Sequence, residues 1–139
     1  MAVITKQIQL STRGDTDIID ITSQVSDHLG SSGLKHGIVT VFVPGSTAGI
    51  TTIEYEPGLI KDLKRLFEEV ASKKKEYNHN LRWHDGNGHS HVRAAFLGPS
   101  LCVPFSDKNL QLGTWQQIVL IDFDNRPRSR QLIVQIIGE

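Results

Sequence analysis

The run Gly37-Ile38-Val39-Thr40-Val41-Phe42-Val43 constrains the fold of this 139-residue chain more than any other segment. β-Branched and aromatic side chains crowd a helical turn but pack well on a pleated surface. With glycine before it and Pro44 after it, the run reads as a strand buried on much of its surface. Such a strand needs neighbours, and the sequence offers them. Residues 3–10 alternate, with Ile4, Ile8 and Leu10 among Lys6, Gln7 and Gln9, and residues 17–21 form a second short strand after the Gly14-Asp15 turn. Residues 48–55 follow the bend Pro44-Gly45-Ser46-Thr47 at hairpin distance. Residues 101–105, 115–123 and 131–137 complete the set, separated by turns at 106–109 and 125–127.

Helices are fewer. Leu59, Ile60, Leu63, Leu66, Phe67 and Val70 recur at helical spacing opposite Lys61, Asp62, Lys64, Arg65, Glu68 and Glu69, with Pro57 suited to the first turn. Thr22 is placed to cap a helix through Leu29, and Ser90 to cap one from His91 to Leu97, which Gly98-Pro99 ends. Residues 76–88 read as a long irregular connection. Seven or eight strands with two or three helices and no internal repeat predict one α+β domain over residues 1–139, mainly an antiparallel β-sandwich with packed helices.

Charge narrows the functional classes. Fifteen Lys and Arg balance fifteen Asp and Glu, so no global field gathers nucleic acid or an anionic membrane. The same balance offers little resistance to self-association. Cys102 is the only cysteine, which excludes an internal disulfide and a four-thiolate metal site, and its apolar neighbours suit a small buried hydrophobe. No basic segment followed by a long apolar core opens the chain, and no apolar run reaches the roughly 20 residues of a membrane span, so a cytoplasmic protein is expected.

Four of the six histidines fall between His79 and His91. Imidazole is the side chain best suited to hold a metal or move protons near neutral pH. His89 and His91 would share a face of extended chain but diverge by about 200° in a helix, so joint ligation requires the helix to begin at or after Ser90. His79 would then supply a third ligand and leave an open position of the catalytic zinc kind. Hydrogen-bonded loop histidines are the alternative reading. The 44–49 bend, with Ser46 and Thr47, can cradle phosphate through its backbone N–H groups or serve as a plain hairpin. Glu54, at the end of the following strand, is a candidate acid or base if it faces the same cavity, and otherwise an exposed carboxylate. Gln111, Trp115 and Gln116 surround Gly113 in a composition suited either to gripping a small polar or heteroaromatic ligand or to starting a strand. Arg93, Arg126, Arg128 and Arg130 suit phosphate or salt bridges equally.

Taken together, Ser46-Thr47-Ala48-Gly49-Ile50-Thr51 with Glu54, Asn87-Gly88-His89-Ser90-His91, Leu97-Gly98-Pro99-Ser100, Gly113-Thr114-Trp115-Gln116, Asp122-Phe123-Asp124 and Ile137-Gly138-Glu139 resemble the YjbQ-like family, often described as secondary thiamine-phosphate synthases. The resemblance runs nearly end to end. It implies a jelly-roll-type sandwich assembled as a homotrimer, with a site near subunit boundaries built from the histidine segment and the Ser46-Thr47 bend. His79 and His91 match the family pattern. Many relatives carry histidine where this chain has Gly45, asparagine where it has Ile53, and aspartate where it has His89.

Three expectations follow. One is a trimeric transferase acting on a phosphorylated heterocycle, in which His79, His89 and His91 hold a divalent metal, zinc foremost, or transfer protons. There His91 and Glu54 are catalytic, Ser46, Thr47, Asn87, Arg93, Gln111 and Gln116 position the ligand, and Trp115 stacks on its ring. Another is a non-catalytic module that holds a metabolite or anion at the same place. A third, structural reading has the histidines stabilising subunit contacts.

Overall fold

Eight strands and four helices form from this pattern, and the computed structural model, which describes residues 1–139, sorts the strands into two antiparallel sheets. The larger sheet has the order β1 (Ala2–Thr12), β8 (Arg128–Gly138), β3 (Gly37–Phe42), β5 (Ser100–Ser106) and β6 (Asn109–Leu110). The smaller has β2 (Asp17–Asp20), β7 (Gln117–Asp122) and β4 (Ala48–Ile53). The chain crosses from one sheet to the other at every connection between consecutive strands except that from β5 to β6. This is the expected α+β sandwich with jelly-roll-like connections.

One consequence corrects the sequence reading of the 44–47 bend. β3 pairs with β5 and β8, whereas β4 pairs with β7, so the bend is a corner between sheets and not a hairpin. Corner geometry explains Gly45, whose φ of +142° lies in a region that side chains rarely adopt.

Two apolar layers share β7. Ile118 and Leu120 face the main core with Val39, Val41, Leu132, Val134 and Ile136, which α1 (Thr22–Ser32) closes with Val25 and Leu29. Val119 and Ile121 face the other way, toward Phe123, Ala94 and Phe67 beneath the helices. A strand covered on both faces has no need for alternation, which is why residues 118–121 are apolar without a break. Helix α2 (Pro57–Val70) packs Phe67, Ile60 and Leu63 on that second layer, and the Glu56 carboxylate caps its start by accepting from the Gly58 and Leu59 amides at 2.7 and 2.8 Å.

Helix boundaries differ from the sequence expectation in three places. α1 already includes Thr22, whose hydroxyl bonds Asp20 and Ile118 and does not cap the helix. The connection expected to be irregular contains α3 (Asn78–Trp83), a fourth helix. α4 (Gly88–Leu97) begins two residues before Ser90, since Ser90 directs its hydroxyl to the Phe123 carbonyl and the Asn87 side-chain oxygen Oδ1. No helix is long and apolar enough to cross a membrane.

The most buried polar structure lies where the two sheets meet. Asp122, fully buried, accepts from Arg130 Nε at 2.8 Å and Nη2 at 3.0 Å, from the Thr12 hydroxyl at 2.6 Å and from the Asp124 amide at 3.0 Å. Burial alone would raise its pKa, but these donors together hold the carboxyl below the ordinary carboxylate value. Asp122→Ala strands a buried guanidinium, and we expect a loss of about 3–5 kcal/mol in urea unfolding. A loss under about 1 kcal/mol would show that water replaces the carboxylate at this corner.

Candidate functional site

Four separate anchors converge on the segment after β7. Thr47 donates to Asp124 at 2.9 Å and accepts from Arg130 at 2.7 Å, and its carbonyl accepts from the Phe123 amide. Ser90 reaches the Phe123 carbonyl at 2.6 Å, while Asn87 Oδ1 accepts from the Asn125 amide at 3.2 Å. The corner carrying Ser46 and the start of α4 therefore hang from the same stretch of chain. Between them lies a hollow of about 390 Å³ lined by Gly45, Ser46, Ala48, His91, Ala94, Ala95 and Pro99.

His79 on α3 meets His91 on α4, with ring centroids 4.3 Å apart and planes tilted by 36°. Gly88 permits this approach: a Cβ there would lie 2.5 Å from Tyr77 Cβ, just before α3, while its amide bonds Asn80 Oδ1 at 2.8 Å. His79 Nδ1 is buried without a hydrogen bond, because Asp85 Oδ1 comes to 3.4 Å without suitable geometry. Burial first, and the neighbouring His79 second, push the His91 pKa below its ordinary value, which favours the neutral ring.

The early start of α4 decides the fate of His89. Two positions apart on a helix, His89 and His91 point about 200° from each other. His89 turns into the interior, where Nε2 lies 3.2 Å from the Ser90 hydroxyl and Nδ1 has no partner. Burial, then Arg93 and Lys73, lower its pKa. The condition for joint ligation by His89 and His91 is thus not met. No group of three His, Cys, Asp or Glu residues in the chain is arranged to hold a metal ion.

The remaining expected residues divide sharply. Ser46 shares the hollow with His91. Thr47 and Asn87 stand beside it, but their polar groups are committed to Asp124, Arg130, Ser90 and Asn125. Arg93 is only 2% exposed and spends its guanidinium on the Ala71 carbonyl, Thr16 and Glu68, so it ties α4 to α2 and the β1–β2 turn and does not reach the hollow.

Gln111 and Gln116 line a different groove of about 300 Å³ with Thr51, Thr52, Leu97 and Cys102. Gln116 bonds Thr52, near the opposite end of β4, about 17 Å along the strand from Thr47. Glu54 lies beyond that end, exposed, and Trp115 is 73% exposed in the turn before β7. The length of β4 therefore separates Glu54, Gln111, Trp115 and Gln116 from the histidine pair. Cys102, expected to be buried, faces out from β5.

Sequence comparison agrees with the fold. The family model described as UPF0047 protein YjbQ-like matches residues 6–139. A UPF0047 protein of Methanothermobacter thermautotrophicus is 39% identical over 139 residues, covering 100% of this chain and 95% of the relative. The UPF0047 protein YugU of Bacillus subtilis is 35% identical, covering 96% and 98%. Among solved structures, a protein of unknown function from Sulfolobus solfataricus superposes with a TM-score of 0.94 at 37% identity, covering 99% of each chain. An uncharacterised conserved protein from Clostridium acetobutylicum does so with 0.87 at 35% identity, covering 95% and 99%.

The two depressed imidazoles set a pH dependence. As pH falls through about 6.5, the unfolded chain takes up protons that the folded chain resists. Their contribution to stability is complete above that value and is lost below it. Urea midpoints measured between about pH 8 and pH 5 should fall on the acid side, and His89→Gln should flatten the decline. An equally steep decline in that variant would assign the effect elsewhere.

Proposed function

The chain belongs to the YjbQ-like UPF0047 family, and from that premise we propose that it is a small cytoplasmic transferase-like enzyme that binds a phosphorylated heterocycle in the hollow between Ser46 and His91. The observation that supports this most is that His91, whose ring packs against His79, lines one hollow with Ser46. A neutral imidazole whose pKa lies below its ordinary value can accept a proton, or donate its ring N–H to an oxygen that gains charge. Ser46, exposed and free of the network that occupies Thr47, offers its hydroxyl to the ligand.

In a thiamine-phosphate-synthase-like reaction, the thiazole nitrogen bonds to the pyrimidine methylene carbon as the carbon–oxygen bond to diphosphate breaks. The diphosphate leaves with the electron pair. The part assigned to His91 is a hydrogen bond to that departing oxygen, with His79 holding the ring in place. The three-histidine zinc set does not converge in one chain, so no step is routed through a metal. A divalent cation would enter this proposal only with His79 and His91 as two of its ligands and the rest supplied from outside the chain, and the unpartnered His79 Nδ1 is suited to that role.

The alternative is a binding module without turnover. It is favoured by the commitment of Arg93 and Thr47 to structure, which leaves the hollow with few polar groups. His91→Ala separates the two. The enzyme reading expects a 10²–10⁴-fold loss of thiamine phosphate formation with an unchanged melting temperature, roughly the contribution of one acid–base group. Absence of product from the unaltered protein with any divalent metal, alongside retained ligand binding that weakens in the variant, assigns the module.

We also propose a homotrimer. The outer face of the larger sheet carries no helix and exposes Val3, Ile38 and Phe42 beside Ile133 and Ile137. Light scattering on the eluted protein should give about three chain masses, and Phe42→Lys should lower that mass by placing charge in an apolar contact. A monomeric native protein would overturn the assembly.

A further inference from the structure

A second hollow opens on the other side of Gly45, and it has the chemistry that the His91 hollow lacks. About 370 Å³ in volume, it is lined by Gln7, Pro44, Gly45, Arg128, Ser129, Arg130, Gln131 and Ile133, with no carboxylate among them. Its size falls within the range of small-molecule clefts, about 300–1,000 Å³.

Arg130 is 5% exposed, yet its bonds are unevenly spent. Nε and Nη2 serve Asp122 and Thr47, which leaves Nη1 without a partner in the chain. That nitrogen sits where a side chain at position 45 would begin, 2.8 Å from an ideal Cβ, so glycine is what keeps it reachable. Arg128 contributes a second guanidinium, whose nearest carboxylate is Asp124 at 3.8 Å, beyond hydrogen-bond reach.

We propose that this corner is an oxyanion site for a phosphoryl or diphosphoryl group, gripped by Arg130 Nη1 and Arg128 with Ser129 and the two glutamine amides around them. Two guanidiniums in a fixed arrangement match a phosphate better than mobile lysines do. The facing charges are Asp122 and Asp124. Asp122 is saturated by four donors, and Asp124 is bonded by Thr47 and by the Arg126 amide, so neither needs Arg130 Nη1 or a short contact with Arg128. The site stands independently of the histidine pair. It borders Phe42 and Ile133 on the bare sheet face, so molecular mass must be followed alongside binding.

Calorimetric titration of the full chain with inorganic phosphate and with diphosphate tests the assignment, with acetate as the carboxylate arm. Saturable binding of a phosphate species, one site per chain and weaker in higher salt, is expected. Arg128→Gln removes one guanidinium at a partly exposed position, and Gln7→Glu adds a carboxylate at an exposed one. Compared at equal molecular mass, each should weaken binding about ten-fold or more at unchanged melting temperature, whereas His91→Ala should leave it intact. No saturable binding, affinity in both variants unchanged from that of the unaltered chain, or acetate binding as tightly as phosphate would each overturn the proposal.

Discussion

The arrangement of this protein depends on one buried ion pair, Asp122 with Arg130. Two charges removed from water are costly unless every lone pair and proton is matched. Here two guanidinium N–H groups, the Thr12 hydroxyl and the Asp124 amide satisfy the carboxylate. Satisfying Asp122 fixes the end of β1, the end of β7 and the beginning of β8 in one place. Through Thr47, the same guanidinium reaches the corner between β3 and β4.

Everything near the candidate site is hung from that knot. Thr47 holds Ser46 at the rim of its hollow, while Ser90 and Asn87 bind the first turn of α4 to residues 123–125. His91 then projects from the second turn, and Gly88 lets the start of α4 close against Tyr77 and bring His79 over it. The corner glycine plays a different part, since the side chain it lacks leaves one nitrogen of Arg130 open. Structural roles and the proposed binding roles thus fall on the same few residues, and substitutions of the inner ones will read first as lost stability.

Much of the fold was legible from pattern because burial on one or two faces writes itself into local sequence. The alternation of residues 3–10, the β-branched run at 37–43 and the continuous apolar stretch at 118–121 each became a strand, and the stripe from Leu59 to Val70 became α2. Short-range chemistry was less reliable at ends. Ser90 looked like a cap, but its hydroxyl found the Phe123 carbonyl, so the helix began earlier and His89 turned inward. Arg93 and Arg130 have the same side chain, and nothing adjacent in sequence distinguishes one that is fully consumed by Ala71, Thr16 and Glu68 from one that keeps a nitrogen free.

The sequence by itself determined the class of fold, the absence of any apolar helix long enough for a membrane, and the two segments that meet at the candidate site. These follow from hydrophobic period, charge balance and turn residues, which act over a few positions along the chain. Only the tertiary structure decided that the bend after β3 is a sheet-to-sheet corner, that β4 separates Gln111, Trp115, Gln116 and Glu54 from the histidines, and that His79 pairs with His91 but not with His89. Those outcomes depend on which distant partner satisfies each buried hydrogen-bonding group, and that choice is made by the packing of elements far apart in sequence.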